Sequence, residues 1–499
     1  LLKIDMPKEY FVVSGTTSLH TLPSAAKIHV IGVCGVAMAQ IAIALTQRGY
    51  QVSGSDKEFY EPMKSLLGSS AVQIKVGYHV DNVPLDAALV VIGNSISYGN
   101  PEVEVVEQHK LPYTCFPKIL QEVAIAGKHS IVVTGTHGKS TTTALVASVL
   151  LAQGSDPSYF VGGVAQSLPQ SLAVGSGRFS VVEGDEYDSA FFAKVPKFSF
   201  YTPDTVVVNA IEYDHADIYA SVEAIESEFS GLINSLKSGD TALCCIDFPR
   251  VKRLVHSWRT SSAAAICTFG TDPEADYAIV GRAVRGMSQI VTVRVPTGEQ
   301  VEISVPMIGE YNARNVTAAF AVSETVKLPR EKTLSALADF KSVKRRQELR
   351  LAKDGVALIE DFAHHPTAVQ QTIAAVRDAF PKATLWAVFE PRSNTSRRKV
   401  FQAEYIAAFE QADRVILKDV QARAIDQGVE LIEVSTLAQQ INERKIPAEC
   451  VADVAAIRAL LMRQIQRAPG TGEISDVVVV MSNGSFDGLI EGLVSDLQG

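Results

Sequence analysis

With 499 residues, the chain has room for about three domains at the usual ~150 residues each. Its composition, 47% hydrophobic and 20% charged, excludes a disordered or low-complexity protein. A net charge of −9 denies it the broad positive field of a non-specific nucleic-acid binder, so any anionic ligand must be gripped by a local device.

Residues 1–26 read as a polar leader. Leu1 to Gly15 carries Lys3, Asp5, Lys8 and Glu9 and lacks the long apolar core of a secretory signal. No apolar run reaches the ~18–20 residues of a bilayer span. The expected setting is the cytoplasm, without membrane insertion, and a monomer is favoured. The six cysteines show no CxxC spacing, which argues against a zinc site and a disulfide scaffold.

From Lys27 onward short aliphatic runs alternate with amphipathic stretches. Ile28–Ile31, Val52 and Ala88–Ile92 read as buried strands, with helices at Val36–Arg48 and Pro101–Lys110. A second unit opens with the strand Ser130–Val133 and a helix from Lys139. It continues through strands at Ser180–Val182, Thr205–Val208 and Ala242–Ile246, with a helix at Ser221–Leu236. Alternation on both sides of Thr297-Gly298 predicts a hairpin, and a helix over Tyr311–Lys327 closes the unit. The basic run Lys341–Arg350 marks the next boundary. The third unit alternates again: Val356–Ile359, Ala368–Phe380, Thr384–Val388, Arg398–Ala412, Arg414–Leu417, Val454–Arg467 and Val477–Met481. The fold class is α/β, three consecutive domains over 27–123, 124–344 and 345–499.

The strongest chemical signal is Thr134-Gly135-Thr136-His137-Gly138-Lys139-Ser140-Thr141, between a strand and a helix. Backbone N–H groups at such a turn form an anion cradle, the lysine adds a point charge, and the hydroxyl after it suits Mg²⁺. Val133 takes the place of the first glycine of the full P-loop pattern, so the loop is of a shortened type. Glu183, Asp185, Glu186 and Asp188 follow a buried strand, where nucleotide-binding domains keep a metal-binding acid. A third strand end gathers Glu212, Asp214 and Asp217 around His215, a set competent for a second divalent cation.

Weaker signals complete the list. Gly32 and Gly35 follow the first strand and open a helix, but Cys34 breaks a dinucleotide fingerprint; Asp56 ends the second strand, where such folds contact a ribose. Asn312 and Asn315 share one helix face. Arg345-Arg346 sits at a domain boundary, where it could reach phosphate, a solvated basic patch being the commoner reading of such a run. His364 and His365, successive residues whose side chains diverge, suit packing or hydrogen bonding rather than chelation. Arg392-Ser393-Asn394 and Ser482-Asn483 each follow a strand of the third unit.

Taken together these motifs resemble the Mur ligase family, ATP-dependent amide-forming enzymes of cell-wall peptide synthesis and recycling. Gly-Thr-His-Gly-Lys-Ser-Thr carries the resemblance above all, supported by Gly32-Val-Cys-Gly35, Glu183-Gly-Asp-Glu-Tyr-Asp188, Glu390-Pro-Arg-Ser-Asn-Thr395 and Met481-Ser-Asn-Gly484. The resemblance implies a Rossmann-like UDP-binding domain, a central P-loop ATPase-like domain with an added β-hairpin region, and a Rossmann-like C-terminal domain. It implies ATP on Gly135 to Thr141, with Lys139, Glu183 and His215 catalytic and Ser140, Glu183 and His215 holding Mg²⁺. Asn312 would contact adenine, Arg346 the ATP phosphates and Asp361 the ribose. Gly32, Gly35, Ser55, Asp56 and Asn100 would cradle the UDP of UDP-N-acetylmuramate, and Arg392, Ser393, Asn394, Ser482 and Asn483 would hold a murein tripeptide. Several members carry a carbamylated lysine about fifteen residues past the position of His215; here no lysine occurs before Lys237, and Ser230 stands near that place. Other readings are an L-alanine-adding ligase, a plain P-loop ATPase or kinase, and a nicotinamide oxidoreductase led by the Gly32 turn.

Overall fold

The computed structural model describes residues 18–214, 218–420, 430–468 and 472–498. Three large sheets follow one another along the chain, with a two-stranded ribbon, Asp188–Ala190 against Ala193–Pro196, beside the second. The first is all parallel, in the spatial order Gln73–Val76, Gln51–Asp56, Lys27–Ile31, Leu89–Ile92 and Tyr113–Cys115. Strand order reverses between Lys27–Ile31 and Leu89–Ile92, the place where such sheets open a ligand crevice. Helix Val36–Gln47 leaves the first strand at Gly35. Helix Pro101–Gln108 starts with Pro101 in its first turn, behind the cap Asn100.

The second sheet has ten strands. At its centre His129–Thr134 lies between Phe179–Gly184 and Thr205–Val208, all parallel, so three strands end side by side at one edge. The predicted hairpin is present as Ser288–Arg294 against Gln300–Val305. It belongs to a larger meander, because Tyr277–Arg285 pairs antiparallel with Ser288–Arg294 and its first two residues join Ala265–Gly270 in parallel. Helix Glu310–Thr325 is buried along most of its length; Ala313, Ala318, Ala319 and Ala321 give it the narrow profile needed to pack inside a single core with helix Lys139–Ala152.

The third sheet runs Glu348–Lys353, Val356–Asp361, Asp476–Met481, Thr384–Phe389, Arg414–Lys418 and Ala448–Val451. Only the first strand is antiparallel. The basic run read as a boundary is therefore only in part a connection: from Glu348 it is an edge strand, with Leu349 exposed and Glu348 and Arg350 half-buried in contacts to Arg345 and Glu360. The helix expected over Arg398–Ala412 is shorter, Gln402–Ala408 after a single turn Lys399–Phe401. Among the described residues no helix is long and apolar enough to cross a membrane.

Candidate active site

The phosphate loop is built by steric necessity. Gly135 has φ +119°, and a Cβ there would stand 2.7 Å from the backbone N of Ala210. Gly138, with φ +79°, precedes helix Lys139–Ala152, and its Cβ would meet Asn315 Oδ1 at 2.4 Å. Neither position admits another residue. The loop is pinned by Thr136 N–H donating to the Ala210 carbonyl at 2.9 Å. Asn209 donates to Thr142 Oγ1 at 3.2 Å from the neighbouring strand end. Thr136 to Thr141 line a cavity shared with Phe248, Arg346 and Asp361.

The Lys139 side chain is only 12% exposed, and its Nζ donates to the Gly135 carbonyl at 2.7 Å and to Glu186 Oε2 at 2.8 Å. Burial alone would push its pKa down; Glu186 and Asp185 outweigh this and raise it, so the ammonium stays charged. Glu183 accepts from Gly162 N–H at 2.6 Å and from the Ser140 hydroxyl at 3.1 Å. Burial, then the neighbouring Asp185, push its carboxyl up to about 7. A carboxylate under that strain, with a hydroxyl beside it, is a hard oxygen pair that fits Mg²⁺. Asp185 in turn receives Lys197, whose Nζ lies 2.7 Å from Oδ2 and 2.9 Å from the Tyr187 hydroxyl. His215 lies outside the described residues. Next to it, Asp214 is buried and accepts from Thr395 of the third unit at 2.7 Å. Ser230, near the place of the family's modified lysine, accepts from Trp258 Nε1 at 3.1 Å on the adjacent helix.

The third unit closes over this loop. Asp361 accepts from Gln347 N–H at 2.8 Å and Ala363 N–H at 2.7 Å, and burial pushes its carboxyl up. Arg346 stacks 4.8 Å from the Phe362 ring centroid and borders both the loop cavity and the larger cleft beside it. Asn312 stands differently from the expected adenine contact. Its amide donates to the Ile308 carbonyl and to Gln347 Oε1, and its oxygen accepts from Asn315, so it ties the helix to the 345–347 segment.

In the first unit Gly32, with φ +83°, starts the turn, and Asp56 Oδ2 accepts from Cys34 N–H at 2.8 Å inside it. Ser55 is fully buried and donates to Glu102, within a network that includes His29 and Asn82. Asn100 caps the helix carrying Glu102, accepting from its N–H at 2.9 Å. Both residues thus support the turn from behind. In the third unit Arg392, Ser393, Asn394 and Asn483 border the cleft. Gly484 makes room for Arg392, since a Cβ there would lie 2.3 Å from its Cδ. Asn483 Oδ1 is shielded from solvent without a partner. Ser482 faces inward instead, donating to Glu390 at 2.6 Å.

The cleft, about 1170 Å³, is bounded by Val36 and Ala37 of the first unit, by Lys139, Ser140 and Glu183 of the second, and by Arg392 and Asn483 of the third. That volume exceeds the ~300–1,000 Å³ of an ordinary small-molecule site, as expected where several substrates meet.

Family models match the chain in the same order: Mur ligase family, catalytic domain, over 27–128; Mur ligase middle domain over 133–323; and Mur ligase, glutamate ligase domain, over 345–484. The chain belongs to the Mur ligase family. This Mur ligase is 32% identical to the UDP-N-acetylmuramate–L-alanyl-γ-D-glutamyl-meso-2,6-diaminoheptandioate ligase of Escherichia coli, over 94% of the chain and 98% of that protein. It is also 32% identical to a UDP-N-acetylmuramate–L-alanine ligase of Chlorobium phaeobacteroides, over 79% of the chain and 82% of that protein. A crystal structure of a murein peptide ligase from Psychrobacter arcticus superposes with a TM-score of 0.67 at 27% identity, covering 95% of this chain and 98% of the other.

Sequence reasoning missed Lys197, Glu186 as the partner of Lys139, and the role of Gln347. Each acts through a contact that local spacing does not encode.

Proposed function

We propose that this Mur ligase joins the carboxylate of UDP-N-acetylmuramate to the amine of L-alanyl-γ-D-glutamyl-meso-diaminopimelate in the cytoplasm, converting ATP to ADP and phosphate. One observation carries the reading: a single cleft has the phosphate loop on one wall, the glycine-turn helix of the first unit on another and the Arg392–Asn483 cluster on a third. Similarity to the Escherichia coli ligase over nearly the whole of both chains supports the tripeptide as acceptor.

A carboxylate is a poor acyl donor. Transfer of the ATP γ-phosphoryl makes it an acyl phosphate, and the neutral peptide amine then attacks the carbonyl and expels phosphate. Gly135 to Thr141 would cradle the ATP phosphates with backbone N–H groups. Lys139 would swing from the Gly135 carbonyl to the γ-phosphate and hold the charge that develops in both steps. Ser140 and Glu183 would hold Mg²⁺, with His215 offered to a second ion; when bound, the metal neutralises phosphate charge. Arg346 and Asp361 would reach ATP from the third unit, with Asn312 behind the base. Gly32, Gly35 and Asp56 would take the UDP moiety, backed by Ser55 and Asn100. Arg392, Ser393, Asn394 and Asn483 would receive the peptide carboxylates and amides, with Ser482 orienting the turn, while closure of the cleft keeps water from the acyl phosphate.

The test is ADP formation with ATP, UDP-N-acetylmuramate and a panel of amines at subsaturating concentrations. The tripeptide should be far the better acceptor. Equal turnover with L-alanine would place the enzyme among the alanine-adding ligases, and ADP release without either amine would leave a plain ATPase.

A further inference from the structure

Beside the phosphate loop, and separate from the Ser140–Glu183 pair, three side chains from distant segments converge. His137 belongs to the loop, Glu212 follows strand Thr205–Val208, and His365 caps helix Pro366–Ala379 of the third unit. One ligand-capable atom of each lies within 4.8 Å of the other two. His137 Nε2 stands 2.7 Å from Glu212 Oε2, and the imidazoles of His137 and His365 are 5.1 Å apart between centroids. A second observation is independent of that spacing. Nε2 of His365 is shielded from solvent and has no hydrogen-bond partner, on a residue only 6% exposed that borders the same cavity as His137. A buried nitrogen left unpaired costs on the order of 1–3 kcal/mol, which calls for a ligand.

We propose that His137, Glu212 and His365 form a zinc site that ties the phosphate loop to the C-terminal unit. Two imidazoles and one carboxylate suit zinc, with a fourth position left open. Mg²⁺ prefers an all-oxygen shell, so this mixed set selects a different cation from the Ser140–Glu183 pair. Thr367 donates its hydroxyl to Glu212 Oε1 at 3.1 Å, which orients the carboxylate and leaves Oε2 toward His137. Binding through His365 Nε2 would move the ring proton to Nδ1 and release the long, 3.3 Å contact from Thr367 N–H; binding through His137 Nε2 would likewise move its proton to Nδ1 and exchange the 2.7 Å hydrogen bond to Glu212 for two metal bonds. The site uses no cysteine, so cysteine spacing carries no sign of it. Because His137 lies in the loop assigned above to ATP, zinc and ATP should oppose each other, each weakening the other by the same factor. That opposition rests on the proposed function; the site itself does not.

Equilibrium dialysis of the purified full chain against Zn²⁺, without substrates, tests the site directly. Wild type should bind one zinc at this site. Loss of an outer-shell partner alone costs roughly 10–100-fold in metal affinity, so His365→Ala and Glu212→Gln should each weaken binding by at least about that much. His365→Gln, which keeps a polar cap on the helix, serves as a second variant if His365→Ala melts early. With free Zn²⁺ held constant by a metal buffer, so that chelation by ATP itself is not read as displacement, ATP added to wild type should lower the zinc bound. Zinc binding equal in wild type and in folded variants, or no stoichiometric zinc in wild type, would overturn the proposal. These readouts stand whether or not the amine panel shows ligase turnover, and failed displacement alone would count against the ATP assignment of His137.

Discussion

The Lys139 ammonium is held by the Gly135 carbonyl and Glu186, so under the proposed function ATP would have to draw it away, and phosphate charge would make that exchange favourable. Lys139→Ala should therefore abolish ADP formation while leaving UDP-N-acetylmuramate binding nearly intact, because the sugar nucleotide is assigned to a different unit. Calorimetry of the folded variant checks this; lost UDP-substrate binding would contradict the division of labour. Glu183 faces a related choice. Its carboxyl is pushed up by burial and Asp185, and a divalent cation relieves both. Glu183→Gln removes the charge and keeps the shape, so the rate should recover only at much higher Mg²⁺, if at all. A Mg²⁺ dependence identical to wild type would remove Glu183 from the metal site. At this scale the loop Thr134 to Thr141 is legible because its residues are consecutive in the chain, whereas the partners that fix it, Ala210, Asn315 and Glu186, are not. Asn312, Ser55 and Ser482 were legible as polar residues near a site, but their hydrogen bonds run to Gln347, Glu102 and Glu390, partners far away in sequence or hidden in the turn of another strand.

At the scale of elements, helix Pro101–Gln108 is tied to strands Lys27–Ile31 and Gln51–Asp56 by a buried polar network. Glu102, in the first turn of helix Pro101–Gln108, accepts from Ser55 and from Asn82 at 2.7 Å, and His29 Nε2 lies 3.4 Å away. Burial pushes its carboxyl up, but the bonds from His29, Ser55 and Asn82 prevail and hold it below the usual range. A carboxylate depressed in the folded state binds its proton more readily when unfolded. It therefore contributes stability above its ordinary pKa of ~4.3, and that contribution fades as pH falls through the folded value. Glu102→Gln should cost roughly 1–3 kcal/mol near neutrality, and its gap from wild type should narrow on acidification below ~4. Denaturant melts across that range give the answer; a gap that stays constant would mean the charge is not what the network holds. The elements themselves were legible where they are buried. Strands Lys27–Ile31, Val356–Asp361 and Asp476–Met481 are apolar because both faces are covered. Gln73–Val76 is exposed along its length, and Tyr113–Cys115 is only three residues long. Neither has an apolar period to read, and only pairing with a neighbour makes them strands.

At the scale of the whole molecule, the three units matter because their strands end on a common cleft. The wall proposed to receive the acceptor is assembled from two parallel strands of the third sheet, Thr384–Phe389 and Asp476–Met481, which are direct neighbours. Their carboxyl ends, where such sheets bind ligands, bring Arg392 beside Gly484, whose missing side chain leaves the guanidinium its position. Glu390, 4.0 Å from Arg392 Nη1, also takes Lys418 at 2.9 Å, so its one negative charge is shared between two cations. A tripeptide ending in diaminopimelate brings several carboxylates, one of which Arg392 would grip bidentately. Free L-alanine has a single carboxylate beside its reacting amine and has no second, distant one to offer Arg392. Arg392→Ala should thus raise the KM for tripeptide at least about tenfold, given the 1.5–3 kcal/mol typical of a charged hydrogen bond, and leave ATP affinity unchanged. Arg392→Lys should recover only part of the loss, since a point charge cannot replace the fork. If tripeptide KM is unaltered in Arg392→Ala while ATP affinity falls, the cluster serves the nucleotide side of the cleft, and the acceptor must enter elsewhere.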